Sequence, residues 1–124
     1  MKTEKRQKGD FGEELACKFL TENGYEIIAR NFFTRYGELD IVASYEDTIV
    51  FVEVKTRKPG GNIRAAESVT PAKQLKCCKS AMVFLDKNKL FDNNIRFDCV
   101  EVYADIGYLD INHIKNAFMY VETF

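Results

Sequence analysis

The segment Thr48–Arg57, Thr-Ile-Val-Phe-Val-Glu-Val-Lys-Thr-Arg, constrains this chain more than any other. Its β-branched and aromatic residues read as a buried strand, yet it carries Glu53 and Lys55. Side chains alternate faces along a strand, so Glu53 and Lys55 point the same way as Ile49 and Phe51. A carboxylate in an apolar strand is costly unless something pairs with it or a cation binds it. Any fold of this chain must therefore bring a partner to Glu53.

A length of 124 residues favours a single domain over 1–124 with one core. Hydrophobic content of 46% with 30% charged residues fits an ordinary globular protein rather than a disordered or fibrous one. No apolar run is long enough to span a bilayer. The basic stretch Met1–Lys8 is not followed by the apolar segment of a signal peptide, so no membrane association is expected and the cytoplasm is the expected location. Cys17, Cys77, Cys78 and Cys99 lack metal-ligand spacing, and they read as reduced, mostly buried side chains. The net charge of −1 does not mark a nucleic-acid binder. Its distribution says more: Val54–Met82 holds seven bases against Glu67, and Phe97 to the end holds five acids against Lys115. One basic and one acidic face would fit this asymmetry, as would a solvated helix surface.

The spacing predicts a first helix from near Asp10 to about Asn23, with Asp10 and Glu13 as a capping box and Asn23-Gly24 as the stop. Phe11, Leu15, Ala16, Phe19 and Leu20 form its expected buried stripe. Strands are predicted at Tyr25–Phe32, Glu38–Ser44 and Thr48–Thr56, the last two joined by a hairpin near Glu46-Asp47. Lys58–Asn62 reads as a loop, leading through Ala65-Ala66-Glu67 to a second helix with Thr70 as N-cap and Pro71 at its first position. Leu75, Cys78, Met82 and Leu85 are its expected core side. Strands at Ile95–Tyr103 and Tyr108–Ile114 complete the order α-β-β-β-α-β-β. A crossover helix between two strands implies a compact α/β domain, with a mixed sheet of about five strands flanked by helices and the third strand central.

Asp40 interrupts its strand as Glu53 does. With an even hairpin loop, Asp40 falls opposite Phe51 or Glu53, and in both registers the two acids share a face within reach of one ion. A loop longer or shorter by one residue would separate them. Glu38 lies on the same face, nearer the strand start. Two carboxylates and a strand carbonyl, such as that of Val54, are hard ligands suited to Mg²⁺ or Mn²⁺. Such an ion can polarise a phosphodiester and acidify a bound water, and Lys55 can orient that water or meet developing negative charge. The alternative is an ion pair of Asp40 or Glu53 with Lys55 or Arg57 and no chemistry. Glu14 points away from the apolar stripe and should be solvated, whereas Glu13 falls at its edge. Glu13 therefore either completes the metal site or serves only in the capping box. Lys73, Lys76 and Lys79 lie on the exposed side of the second helix. With Arg57 and Lys58 they could grip phosphates, Lys73 being best placed to reach the sheet end. Arg30, Arg35 and Tyr36 could also touch a backbone. His113 reads as structural, since no acid or nucleophile motif surrounds it.

Gly37-Glu-Leu-Asp-Ile41 followed by Phe51-Val-Glu-Val-Lys-Thr-Arg57 resembles the core of PD-(D/E)XK nucleases. More specifically, the chain resembles the YraN-like family of bacterial predicted endonucleases. The likeness rests on Gly12-Glu13-Glu14-Leu15-Ala16, Arg30-Asn31, Thr70-Pro71-Ala72-Lys73-Gln74, Arg96-Phe97-Asp98 and the run His113–Phe118, in order along nearly the whole chain. That family is in turn similar to archaeal Holliday-junction resolvases. The resemblance implies a restriction-endonuclease-like fold and a site of Glu13, Asp40, Glu53 and Lys55, with Glu13, Asp40 and Glu53 as ligands of Mg²⁺ or Mn²⁺. It also implies DNA, branched or recombining, as the substrate, and by their charge and placement Arg30, Arg57, Lys58, Lys73 and Lys76 are the expected contacts. A symmetric two-strand cut would need two sites and hence a homodimer. The proline of the superfamily's name is absent, since Leu39 precedes Asp40. A fold alone does not fix an activity. The rival expectations are a non-catalytic nucleic-acid-binding or scaffold protein on a nuclease fold, and a domain acting through protein partners.

Overall fold

The computed structural model describes residues 4–58 and 69–120, with side chains from position 10 onward. Its elements follow the expected order: α1 (Glu4–Glu22), β1 (Glu26–Thr34), β2 (Gly37–Tyr45), β3 (Thr48–Arg57), α2 (Pro71–Lys87), β4 (Asn94–Asp105) and β5 (Tyr108–Phe118). The strands form one mixed sheet in the order β1-β2-β3-β4-β5, with β3 in the middle. The pairs β1–β2, β2–β3 and β4–β5 are antiparallel, and β3–β4 is parallel. Parallel neighbours cannot be joined by a tight turn, and α2 supplies the crossover between them. The predicted loop beyond Lys58 and the Ala65–Glu67 segment lie outside the described residues.

The sheet is buried on both faces, which explains the near-continuous apolar reading of β3. On one face α1 packs Ala16, Cys17 and Leu20 against Ile41, Ala43, Val50, Val52, Val100 and Val102. On the other, α2 packs Cys78, Ala81, Phe84 and Leu85 against Val42, Ile49, Phe51, Phe97 and Phe118. Phe97 stacks between Phe51 and Phe118 at centroid distances of 5.4 and 4.9 Å. The start of α2 is as predicted: Thr70 is the N-cap, accepting the Lys73 N–H at 3.2 Å, and Pro71 opens the helix.

Two helix expectations are corrected. α1 begins at Glu4, so Asp10 is interior and the predicted capping box does not form; Glu4–Lys8 are good helix formers and extend the element backwards. The buried stripe of α1 is also rotated. Gly12, Glu13, Ala16, Cys17 and Leu20 face the sheet, while Phe11 is 58% exposed. Gly12 is in close contact with β3, since a Cβ there would collide with Thr56 Oγ1. In α2, Leu75 is 38% exposed and Ser80 is buried instead, its hydroxyl 2.8 Å from Thr34 Oγ1.

Candidate active site

The β2–β3 hairpin turns through two residues, Glu46 and Asp47, between the pair Tyr45↔Thr48. That even loop is the register in which Asp40 falls opposite Glu53. The ladder ends at Ile41↔Val52, and beyond it the strands part. Asp40 fills the gap: its Oδ2 accepts the Val54 N–H at 2.9 Å, a side chain standing where a ladder carbonyl would be. α1, in close contact with β3 at Gly12, delivers Glu13, only 8% exposed, to the same place. Ligand oxygens of Glu13, Glu38 and Asp40 all lie within 4.8 Å of one another.

The electrostatics follow from this crowding. Burial, and next the neighbouring Glu53, push the Asp40 carboxyl up to about 8, and Glu13 and Glu38 add to the effect against the Val54 N–H. Like charges so close in a half-buried space cannot all ionise comfortably, so the group holds a proton near neutral pH unless a cation replaces it. Glu53 is bracketed by two lysines, with Lys55 Nζ and Lys73 Nζ each 3.6 Å from its Oε1. Burial, and then the adjacent Lys73, lower the Lys55 ammonium below its ordinary range. Burial also opposes charge on Lys73, but its contacts with Lys55 and Glu53 outweigh that and raise it. Burial and the charges of Glu53 and Asp40 push the Cys77 thiol up to about 12, so it borders the acids as a neutral group.

The structure thus gathers Glu13 and Asp40 with Glu38, while Glu53, the third expected ligand, lies outside that 4.8 Å group, near enough for its charge to act on Asp40 and ion-paired with Lys55 and Lys73. The sequence reading put Glu38 on the right face without assigning it a role. Its signal was the separation of two residues from Asp40 on one strand. Arg57 and Lys58 are exposed where β3 ends, and Lys76 is exposed on α2. Arg30 stands apart, its guanidinium 2.9 Å from Glu14 on α1. Among the described residues, two further acids are fully buried away from the cluster, Asp98 and Glu101; Glu101, opposite Lys55 in the parallel ladder, accepts from Tyr103 Oη at 2.8 Å and Asn112 Nδ2 at 2.6 Å. His113, read from sequence as having no acid around it, does have one. Its Nε2 lies 2.7 Å from Asp98, which is fully buried and also takes two hydrogen bonds from Arg96 and the Asn116 N–H.

Fold and site define a small α/β domain with a carboxylate cluster and paired lysines at the open end of its sheet. The chain belongs to the uncharacterised protein family UPF0102, the YraN-like family, whose model matches residues 12–102. A UPF0102 protein of Syntrophomonas wolfei is 47% identical over 113 residues, covering 91% of this chain and 98% of that one. Another from Caldicellulosiruptor saccharolyticus is 47% identical over 116 residues, covering 92% and 98%. One from Clostridioides difficile is 43% identical over 116 residues, covering 91% and 97%. Among solved structures, Pyrococcus furiosus SfsA in complex with Ca²⁺ overlaps 90% of this chain and 63% of its own, with 14% identity and a TM-score of 0.41. No helix among the described residues is long and apolar enough to cross a membrane.

Proposed function

We propose that this protein is a divalent-metal-dependent endonuclease that hydrolyses phosphodiester bonds in DNA, with branched DNA as its substrate. The observation that supports this most is the convergence of Glu13 from α1 with Glu38 and Asp40 from β2 within 4.8 Å, beside a lysine-bracketed Glu53. An all-oxygen donor set of this charge fits Mg²⁺ or Mn²⁺ better than zinc or copper. Glu13, Asp40 and Glu53, with Glu38 beside them, would hold the ion. When bound, it supplies Lewis-acid polarisation of a phosphate and a more acidic water.

The protein's own groups do the rest. Lys55, its charge disfavoured by burial, is the lysine readier to take up or pass a proton, and it orients the attacking water. Lys73, more firmly charged, meets negative charge on the phosphate. Arg57, Lys58 and Lys76 hold the flanking backbone. A homodimer would place two such sites on one junction, and the cytoplasm is the working compartment in this reading.

Purified protein should nick a labelled junction or flap in Mg²⁺ or Mn²⁺. Glu53→Ala should abolish the cut without loss of folding. Salt-dependent DNA binding with no cleavage in either metal would assign the fold to a binding role instead.

A further inference from the structure

The β1–β2 turn and α2 form one ridge beside the carboxylate cluster, and the proposed site uses only its Lys73 and Lys76 end, leaving Arg35, Tyr36 and Lys79 without a role. Thr34 Oγ1 takes the N–H groups of Tyr36 and Gly37 at 3.0 and 3.2 Å and meets Ser80 of α2 at 2.8 Å. The turn is therefore fastened to the helix. On this base Tyr36 gathers cations. The Arg35 guanidinium lies 4.9 Å and the Lys79 ammonium 5.3 Å from its ring centroid, and Arg35 Nη2 donates to Tyr36 Oη at 2.7 Å. The ridge continues along α2 through Lys76 to Lys73. That helix carries four lysines against the single acid Asp86. Lys73 and Lys79 are about 9 Å apart along the axis, and Glu38 of the cluster is only two residues beyond Tyr36.

A comb of cations tracks a nucleic-acid backbone without regard to sequence. An aromatic ring set among them has no use on a closed duplex, whose base faces are covered. It matters for a strand whose bases are unstacked. We infer that the Arg35–Tyr36–Lys79 ridge holds a single-stranded arm of the substrate. A base stacks on the tyrosine–guanidinium platform, and the backbone runs along Lys79 and Lys76 toward the cluster. The inference rests on the DNA part of the proposed function and not on cleavage. It narrows the substrate to DNA with an unpaired strand at the reacting phosphate.

The test is fluorescence anisotropy in EDTA, where nothing is cut, with a labelled duplex that is either blunt or carries a single-stranded overhang. Wild type should prefer the overhang. Tyr36→Ala and Tyr36→Leu should lower overhang affinity about tenfold and leave blunt binding unchanged, while Tyr36→Phe keeps the preference. Lys79→Gln should reduce the salt slope for the overhang by about one contact. No overhang preference in wild type, or equal loss on both probes in a folded Tyr36 variant, overturns the inference. A preserved overhang preference with no cleavage in Mn²⁺ would sink the nuclease reading and leave this one standing.

Discussion

Replacing Asp40 with asparagine should make the metal-free protein more stable, and the gain should grow with pH. Asparagine matches the shape of Asp40 and keeps an oxygen for the Val54 N–H, which Asp40 accepts at 2.9 Å. It removes only the charge that burial and Glu53 oppose. The carboxyl is ordinarily near 3.8 and here is pushed up to about 8. A group with a raised folded pKa stabilises fully below the lower value, and that stability is lost as pH rises through the higher one. The wild-type penalty therefore develops between about pH 4 and pH 8. At about 1.4 kcal/mol per pKa unit, the ceiling is roughly 6 kcal/mol. The surrounding carboxylates share the charge, which brings the expected gain of Asp40→Asn to about 2 kcal/mol at pH 8. For a domain of this size that is a rise of about 8 °C in Tm. Thermal melts of both proteins in EDTA at pH 5, 6.5 and 8 would measure it. A variant no more stable than wild type at pH 8, or a difference that is flat across this range, would refute the crowding argument.

Three further outcomes follow from the geometry. Mn²⁺ at about 100 times its Kd should stabilise wild type by about 2.7 kcal/mol, more at pH 8 than at pH 6 because a proton must leave; an equal thermal shift in Glu13→Gln would count against the cluster as the binding site. Asp98→Ala should cost about 3–5 kcal/mol in urea denaturation, since it strands the partly buried Arg96; a loss under about 1 kcal/mol would show the network to be dispensable. Gly12→Ala should cost about 1–3 kcal/mol by overpacking against Thr56, and adding Thr56→Ala should recover most of it; no recovery would place the clash elsewhere.

The strand chemistry was legible because a strand's period is two and the Glu46-Asp47 loop is even. Those facts point Asp40 toward Glu53, although the ladder stops one pair short of them. The place of α1 was not legible. Gly12 lies against Thr56 where a Cβ would collide, and a missing side chain leaves no mark in a hydrophobic pattern. Phe11 looked like core for that reason. Glu38 was visible on the correct face, but the parting of β2 and β3 that lets Glu13 reach it is a property of the sheet end. The Asp98 network was hidden by register. The β4–β5 ladder shifts between Phe97 and Cys99, and Asn116, at φ +53°, turns its N–H onto Asp98. Asparagine is among the few residues that adopt such a φ at modest cost.

The parallel β3–β4 pair sets the order in which this protein can fold. The hairpins β1–β2 and β2–β3 close through short turns, so their contacts form early and at little entropic cost. β4 must wait for the whole crossover through α2, and long-range parallel pairing is slow. Glu38 and Asp40 belong to the early β1–β2 hairpin, whereas Glu53 and Lys55 lie past the end of the β2–β3 ladder and pair with β4. The acids are thus fully crowded and buried only when β4 docks and the helices close over the sheet. Folding kinetics should accordingly slow as pH rises through the range in which Asp40 loses its proton, with β4 docking as the step that responds.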